Sequence, residues 1–376
     1  MQTTRISSLA TFLIEFDIIY KNQFGFRKQH STQHALIAII EKIRANLDNK
    51  TFSAAVFIDL EKAFDTVNHD ILLSKLDHYG ISQNANNWVR SYLSNREQNV
   101  SLNGVVSSNK KITCGVPQGS ILGHLLFLLH INDLNIALKN CAVFHFADDT
   151  NLLFECKNPC MLHKVINKEL TILYDWLCAS RLSLNAAKTE FIIFRPPRTN
   201  FNNRITLKLN GITIYESSKI KYLGIILDNR LSWKHHVAEL CKKLGCTLGM
   251  IYKIRNLCTP DVLRSLYFSL FNSHMSFGLS VWGKCISEYS EKIKILQKKI
   301  VRAISFADFT APSKPLMKEL KILAFEDLYK TQIASFMWDF DHGCLPSSLS
   351  SLFTRRMDVH VQSQSKKCIR RSSLHI

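Results

Sequence analysis

Three aspartates stand beside apolar runs, and this setting is the first sign of chemistry in the chain. Asp59 ends the apolar run 54–58, and Asp148 with Asp149 lies between two further short apolar runs. Ionised carboxylates are stable beside such runs when they are hydrogen-bonded or bound to a metal. If the strands are neighbours, the three carboxylates meet at one edge of a sheet, where their mutual repulsion favours hard divalent cations.

Two such cations, held by shared oxygens, would promote in-line displacement at phosphorus. One ion activates the attacking hydroxyl, and the other stabilises the leaving pyrophosphate. Taken one at a time, the aspartates have a structural interpretation as well: Asp148-Asp149 as a polar turn and Asp59 as a strand terminator. Both interpretations stay open at this point.

The hydrophobic pattern predicts the elements that must position these residues. The run 54–60 indicates a buried central strand, and 142–146 with 151–154 indicates a hairpin around 147–150. Asn210-Gly211 is typical of a type I′ hairpin turn, and a single strand is predicted at 220–227. Helices are predicted at about 31–47, 70–79, 121–133, 161–180, 233–256, 260–275 and 287–304.

The positive charge of the chain is concentrated in two regions. The 376 residues include 48 Lys plus Arg and 30 Asp plus Glu, a net charge of +18. Residues 231–304 hold 12 basic and 4 acidic residues, and 353–376 hold 6 basic and 1 acidic, so these regions carry +8 and +5. Such clustering favours contact with a polyanion such as a phosphate backbone. The alternative is a solvated surface.

Composition excludes several classes of protein. With 46% apolar residues the chain is too hydrophobic to be disordered throughout. It has no apolar stretch of 18 residues, so no membrane span is predicted. The 11 scattered cysteines favour free thiols, and no secretion signal is recognised. The location stays unknown: intracellular, in the nucleus or cytoplasm, if the protein is expressed.

Six ordered segments resemble the reverse transcriptase of LINE-type, non-LTR retrotransposons of the jockey/CR1-like group. The resemblance extends over roughly residues 17–305. The segments are Gln23-Phe24-Gly25-Phe26-Arg27 with His30-Ser31-Thr32; Phe57-Ile58-Asp59 with Lys62-Ala63-Phe64-Asp65; Gly115-Val116-Pro117-Gln118-Gly119-Ser120; Phe146-Ala147-Asp148-Asp149; Leu182-Ser183-Leu184-Asn185 with Lys188-Thr189; and Lys221-Tyr222-Leu223-Gly224.

This resemblance implies an α+β right-hand polymerase. Fingers would occupy 17–52 and 78–112, a ferredoxin-like antiparallel palm 53–77 and 113–228, and a helical thumb 229–330. Composition separately predicts a basic, disordered tail at 350–376. The implied activity is RNA-directed DNA polymerisation, in which deoxynucleoside triphosphates extend the 3′-hydroxyl of a DNA primer on an RNA template. Two Mg²⁺ ions would serve the reaction, with Mn²⁺ as an alternative.

The resemblance also implies roles at the reacting groups. Asp59, Asp148 and Asp149 would be the metal ligands, with Asp149 the weaker one. Lys188 would lie near the pyrophosphate as a general acid or as a counter-charge. Arg27, together with Lys28, would grip the triphosphate, because guanidinium matches phosphate geometry. For Lys28 a surface role is an equal alternative.

Further residues are implied to contact the substrates. Phe64 would form the floor of the sugar pocket and exclude a ribose 2′-hydroxyl, with core packing as its alternative role. Gln118 and Gly119 would lie beside the incoming nucleotide, and a small residue at Gly119 would permit close backbone approach. The remaining implied positions are Phe146 before the aspartates, Tyr222, Leu223 and Gly224 at the primer, and the helical stripe Lys294, Lys298 and Arg302 along a phosphate backbone.

The chain departs from the family pattern in three places. It lacks the N-terminal endonuclease, so a separate endonuclease would be needed for insertion. The fingers begin abruptly, and 1–16 resembles a substitute start of an N-terminally truncated element. Gly123-His124 stands where the family usually has Gly-Pro. The alternative function is a retrotransposon relic that binds RNA or template–primer with weak or no catalysis, and a decayed gene product without a role is a third possibility.

Overall fold

The computed structural model describes residues 2–196, 205–355 and 368–370. The chain divides into two compact units, each built from separate stretches. Unit 1 comprises Met1–His30, Thr51–Ile193 and Asn200–Glu216, and unit 2 comprises Ser31–Lys50, Phe194–Thr199 and Ser217–Ile376. Residues 31–50 of the predicted fingers and 217–228 of the predicted palm therefore belong to the same unit as the predicted thumb.

Helices account for most of the ordered chain. They are α1 Gln2–Glu15, α2 Thr32–Asp48, α3 His69–His78, α4 Gln83–Leu93, α5 Ile121–Ile131, α6 Leu134–Ala137, α7 Pro159–Ala179, α8 Lys234–Ile254, α9 Pro260–Leu266, α10 Ser273–Ser276, α11 Leu279–Trp282, α12 Ser287–Ile304, α13 Ser313–Glu319, α14 Phe325–Asp341 and α15 Ser347–Ser350. A 3₁₀ turn, Arg255–Leu257, follows α8, and a π-helical segment, Tyr267–Asn272, joins α9 to α10.

The strands are mostly short. They are β1 Phe52–Ile58, β2 Leu60–Glu61, β3 Glu97–Gln98, β4 Ser101–Leu102, β5 Val105–Val106, β6 Lys110–Lys111, β7 Ala142–Phe146, β8 Asp149–Cys156, β9 Ser183–Leu184, β10 Glu190–Phe194, β11 Leu207–Leu209, β12 Ile212–Ile214, β13 Lys219–Tyr222, β14 Ile225–Asp228, β15 Phe353–Arg355 and β16 Cys368–Arg370.

A four-stranded sheet in the order β10-β1-β8-β7 forms the centre of unit 1. Strand β8 pairs antiparallel with both β1 and β7, so that Ile58 lies opposite Thr150 and Phe146 opposite Asp149. Strand β1 is buried along almost its whole length, as the apolar run predicts. The register brings the end of β1 and the β7–β8 turn to one edge of the sheet.

Polar caps explain where the predicted helices begin. Ser31, Asn68 and Ser120 precede α2, α3 and α5, and each side-chain oxygen accepts a hydrogen bond from a backbone N–H in the first turn. The helices predicted at 31–47, 70–79 and 121–133 are confirmed to within two residues at each end. Helix α5 is buried over nearly its whole length. Among the described residues, no helix is long and apolar enough to cross a membrane.

Helix α1 packs into the core of unit 1. Leu9 and Leu13 are buried there among the side chains of the sheet and its helices. Helix α1, which lies in the segment that the sequence indicates only as a substitute start, thus contributes Leu9 and Leu13 to the core around the four-stranded sheet.

The segment 219–228 is a hairpin, and the prediction of a single strand there was wrong. Strands β13 and β14 pair antiparallel around Leu223 and Gly224, whose φ angles are +42° and +84°. A leucine at positive φ is uncommon, so the sequence carries no ordinary two-residue turn signal here. By contrast, Asn210 and Gly211, at φ +48° and +77°, form the predicted type I′ turn between β11 and β12.

The predicted disordered tail contains ordered residues. Strand β15 pairs antiparallel with β16. The ring of Phe353 lies 4.8 Å from that of Phe340 and 5.9 Å from that of Phe336, centroid to centroid, which anchors the start of the tail on α14. Disorder of the tail as a whole stays a prediction, and 356–367 and 371–376 lie outside the described residues.

Three buried histidines predict a loss of stability in mild acid. Burial lowers the pKa of His130, His145 and His236 to about 4, and the charge of Lys75 adds to this effect at His130. An unfolded histidine titrates near 6.5, so the unfolded chain binds protons first as the pH falls from 6.5 towards 4. Each histidine should lower the free energy of unfolding by roughly 1–2 kcal/mol between pH 7 and pH 5.

Urea unfolding of the wild type and a His130→Gln variant at both pH values isolates one contribution. Glutamine can keep the hydrogen bond that links the ring Nε2 to the Ser180 carbonyl, 3.2 Å away, but it does not titrate. The variant should lose roughly 1–2 kcal/mol less than the wild type on going to pH 5. Equal losses would show that His130 is not buried as a neutral ring.

Candidate active site

The three aspartates lie at the same edge of the central sheet. Asp59 directly follows β1, Asp148 lies in the β7–β8 turn, and Asp149 is the first residue of β8. Partial burial, and then the negative charges of Asp148 and Asp59, raise the pKa of Asp149 to about 6. The three carboxylates therefore interact electrostatically, as their placement in the sequence predicts.

The donor set has the chemistry that a divalent cation requires. Carboxylate oxygens are hard ligands, and a cation between them would relieve the repulsion that raises the Asp149 pKa. Among the described residues, no three His, Cys, Asp or Glu side chains are already gathered around one point. The fit to a cation thus rests on the donor type and on the charge of the carboxylates.

Lys188 is held next to Asp59 by local pairing. Strand β2 pairs with β9, and the Asn185 N–H donates to the Asp59 carbonyl at 2.8 Å. This places the Lys188 Nζ 3.7 Å from Asp59 Oδ2. The Lys188 side chain is 71% exposed, so the ion pair adds at most about 1 kcal/mol and the ammonium can turn to another anion.

Phe64 lies at the centre of an aromatic cluster. Its ring centroid is 4.3 Å from that of the buried Phe127, and it makes edge contacts with Phe26 at 6.2 Å and with His124 at 5.6 Å. Phe26 and His124 are themselves 4.0 Å apart. Phe64 is only half-buried, so one part of the ring packs on the core while another faces outward. His124 completes this cluster, which the sequence did not indicate.

The Gly115–Ser120 segment is docked onto the chain around Phe64. The N–H groups of Gly115 and Val116 donate to the carbonyls of Val67 and Phe64 at 2.7 and 2.8 Å. Gln118 Nε2 donates to Asp65 Oδ1 at 2.8 Å. Gln118 and Phe64, predicted to line one substrate pocket, are therefore brought together, and Asp65 is a partner that sequence reasoning assigned no role.

Gly119 is required for its backbone conformation. Its φ is +82°, and no protein atom lies within 4 Å of where a Cβ would stand. The left-handed backbone is one reason for glycine at this position. The close approach of Gly119 to an incoming nucleotide stays a prediction. Phe146 is the last residue of β7, opposite Asp149.

Arg27 braces its own loop. Its Nη1 donates to the carbonyls of Tyr20 and Gln23 at 3.0 and 3.2 Å. Burial lowers the pKa of the guanidinium, and the charge of Asp17 opposes this shift. Lys28 is exposed. If these residues bind a triphosphate as predicted, the available donors would be Nε and Nη2 of Arg27 and the ammonium group of Lys28.

The predicted primer and template residues lie in unit 2. Tyr222 is buried, and Leu223 and Gly224 form the β13–β14 turn. A Cβ on Gly224 would lie 2.9 Å from the Phe277 ring, so this turn packs closely on the residues before α11.

The predicted basic stripe on α12 is largely engaged within the protein. Lys294 forms ion pairs with Glu291 and Glu326. Arg302 Nε donates to the Ala311 carbonyl at 2.8 Å, and Lys298 is exposed. Ile293, Ile300 and Ile304 are buried on another face of α12. A phosphate backbone would have to displace two carboxylates to reach Lys294.

Comparison with known proteins identifies the family. The model of the family described as reverse transcriptase (RNA-dependent DNA polymerase) matches residues 3–227. The chain belongs to this family. The match begins at residue 3, earlier than the sequence resemblance indicated, in agreement with the packing of α1 into the core of unit 1.

The relatives include polymerases of mobile elements. The RNA-directed DNA polymerase from mobile element jockey of Drosophila melanogaster is 28% identical over 93% of this chain and 37% of its own length. The probable RNA-directed DNA polymerase from transposon BS of the same species is 28% identical over 85% of this chain and 36% of its length. The chain thus spans little more than a third of these relatives. Telomerase from Candida tropicalis is a similar solved structure, with a TM-score of 0.43 and 15% identity over 72% of this chain and 45% of that chain.

The reverse transcriptase family confirms the predicted fold class. Mixed helices and sheets around a four-stranded sheet agree with an α+β right-hand polymerase. Members of the family generally use divalent metal ions. The boundaries of fingers, palm and thumb, and the roles of single residues, remain predictions.

Proposed function

We propose that this reverse transcriptase adds deoxynucleotides to the 3′-hydroxyl of a DNA primer on an RNA template, within a non-LTR retrotransposon. The proposal rests above all on the register of β1 with β8, which brings Asp59 to the same sheet edge as Asp148 and Asp149. Similarity to the RNA-directed DNA polymerase from mobile element jockey supports the same activity.

Different residues of unit 1 would bind the cations, the triphosphate and the nucleotide. Asp59, Asp148 and Asp149 would hold two Mg²⁺ ions, or Mn²⁺, which when bound activate the primer hydroxyl and stabilise the leaving pyrophosphate. Lys188, 3.7 Å from Asp59, would place a positive charge or a proton beside the departing phosphates. Arg27 and Lys28 would attract the triphosphate, and Gln118 would lie against the nucleotide.

Binding without catalysis is the weaker alternative. A relic of this family would be free to lose its acidic residues, yet here all three aspartates and Lys188 are present and adjacent. The charges of Asp59 and Asp148 help to raise the pKa of Asp149, and a bound cation would relieve this repulsion. The arrangement therefore supports the enzyme over the relic.

Primer extension tests the proposed function. The purified chain, a poly(rA) template with an oligo(dT) primer, dTTP and Mg²⁺ should give longer primers over time. A parallel filter-binding measurement reports the affinity for template–primer. Binding with no extension in either Mg²⁺ or Mn²⁺ would support the relic and overturn the enzyme.

Substitution of Phe64 should relax the choice of sugar. A Phe64→Ala variant opens the floor of the proposed pocket, so a 2′-hydroxyl no longer meets the ring. The ratio of kcat/KM for UTP to that for dTTP should rise roughly tenfold or more. Phe154→Leu, a change at a buried ring of the same core, serves as the control for packing. If both variants lose stability and neither changes the ratio, Phe64 is a core residue only.

A further inference from the structure

A buried glutamine holds the turn that carries the catalytic aspartates. Gln23 is only 2% exposed. Its Oε1 accepts hydrogen bonds from the N–H groups of Gly25 at 2.8 Å and Ala147 at 3.1 Å, and its Nε2 lies 3.5 Å from the Ala147 carbonyl. One side-chain amide thus reaches both backbone groups of the residue directly before Asp148.

The loop that contains Gln23 runs alongside β7. The Phe24 N–H donates to the His145 carbonyl, and the His145 N–H donates to the Asn22 carbonyl, each at 2.9 Å. Gln23 and His145 form a parallel bridge. Gly25 lies so close that a Cβ there would be 2.3 Å from the Ala147 nitrogen. Each residue of the loop from 22 to 25 therefore contacts the β7–β8 hairpin, at His145 or Ala147.

The turn needs such support. Ala147 has φ +57°, a left-handed conformation that disfavours residues other than glycine and asparagine. Ala147 is buried, so its N–H requires a partner inside the protein. Gln23 Oε1 supplies that partner, and the conformation it maintains sets the direction in which Asp148 leaves the turn.

We propose that Gln23 is a positioning residue, which fixes the Ala147 backbone and thereby the geometry of the Asp148-Asp149 carboxylates toward divalent cations. Its catalytic consequence rests on the proposed polymerase function, whereas its effect on the turn and on cation binding does not. Groups that orient metal ligands in this way typically change metal affinity or activity 10–100-fold when they are removed.

A Gln23→Leu variant removes all three contacts of the side-chain amide at nearly constant volume. Gln297→Leu is the matched control, because Gln297 is a buried glutamine in unit 2 that bonds Tyr267, Leu323 and the Phe325 N–H. Both variants should lose thermal stability. Only Gln23→Leu should weaken Mn²⁺ binding, measured by electron paramagnetic resonance, and lower kcat, each by roughly 10–100-fold, with the KM for dTTP changed less than about twofold.

Hydrogen exchange gives a readout that does not depend on activity. In native protein, a peptide that covers residues 144–149 should lose protection in Gln23→Leu and keep it in Gln297→Leu. Unchanged protection together with wild-type Mn²⁺ affinity would overturn the positioning role. If the wild type gives no primer extension, the proposed function fails, and exchange and Mn²⁺ affinity still decide the role of Gln23. Should Gln23→Leu not fold, Gln23→Met takes its place in the same measurements and is judged by the same outcomes.

Discussion

An Asp148→Ala variant is expected to lose RNA-templated primer extension by roughly 1000-fold or more, which corresponds to about 4 kcal/mol of transition-state stabilisation. Asp148 would be shared by both cations, so its removal takes a ligand from each. The pKa of Asp149 should also fall, because one of the two negative charges that raise it is removed.

Single-turnover addition of one dTTP to a labelled primer measures this loss. Asp77→Ala is the control, since Asp77 is an exposed aspartate in α3 and its removal changes the net charge equally. Circular dichroism verifies that both variants are folded. Extension by Asp148→Ala at the wild-type rate would contradict the assignment of the metal ligands, and so would an equal loss in Asp77→Ala.

A Gly25→Ala variant is expected to lose both stability and activity. The added Cβ would stand 2.3 Å from the Ala147 nitrogen and 2.9 Å from its Cα, and neither backbone atom can turn aside. The loop must then separate from β7 and give up its hydrogen bonds to His145. We expect a loss of several kcal/mol in the free energy of unfolding and a fall in extension of roughly 100-fold or more.

The matched substitution is Gly245→Ala on α8. No atom lies within 4 Å of its added Cβ, and alanine favours a helix by roughly 0.5–1 kcal/mol over glycine. Thermal unfolding should therefore show a lower stability for Gly25→Ala and a higher stability for Gly245→Ala. Primer extension should be lost only in Gly25→Ala. Wild-type stability in Gly25→Ala would show that the loop and the catalytic turn do not touch in solution.

The sequence predicted the central elements of the candidate site because local signals agree there. The apolar run before Asp59 is typical of a buried strand, and Asp148-Asp149 lies in a two-strand pattern of ordinary hairpin length. Asn210-Gly211 supplied the chemistry of a type I′ turn. Ser31 and Ser120 provided caps for the helices that follow them.

Contacts between distant segments could not be predicted in the same way. The docking of Gln23 on Ala147 joins residues that are 124 positions apart, and nothing local to either residue indicates it. The Leu223-Gly224 turn has no usual turn residue at its first position, so the pattern indicated one strand where two exist. Lys294 looked free for phosphate because Glu326, which pairs with it, lies 32 residues away on α14.

Removal and return of divalent cations tests the central claim most directly. Wild-type protein with poly(rA)/oligo(dT) and dTTP should extend the primer in Mg²⁺, stop when EDTA is added in excess, and resume when Mg²⁺ is restored. Asp148→Ala should stay inactive throughout while it binds template–primer as the wild type does. Extension that persists in EDTA, or template–primer binding by the wild type with no extension at any Mg²⁺ concentration, would contradict a cation-dependent polymerase centred on Asp59, Asp148 and Asp149.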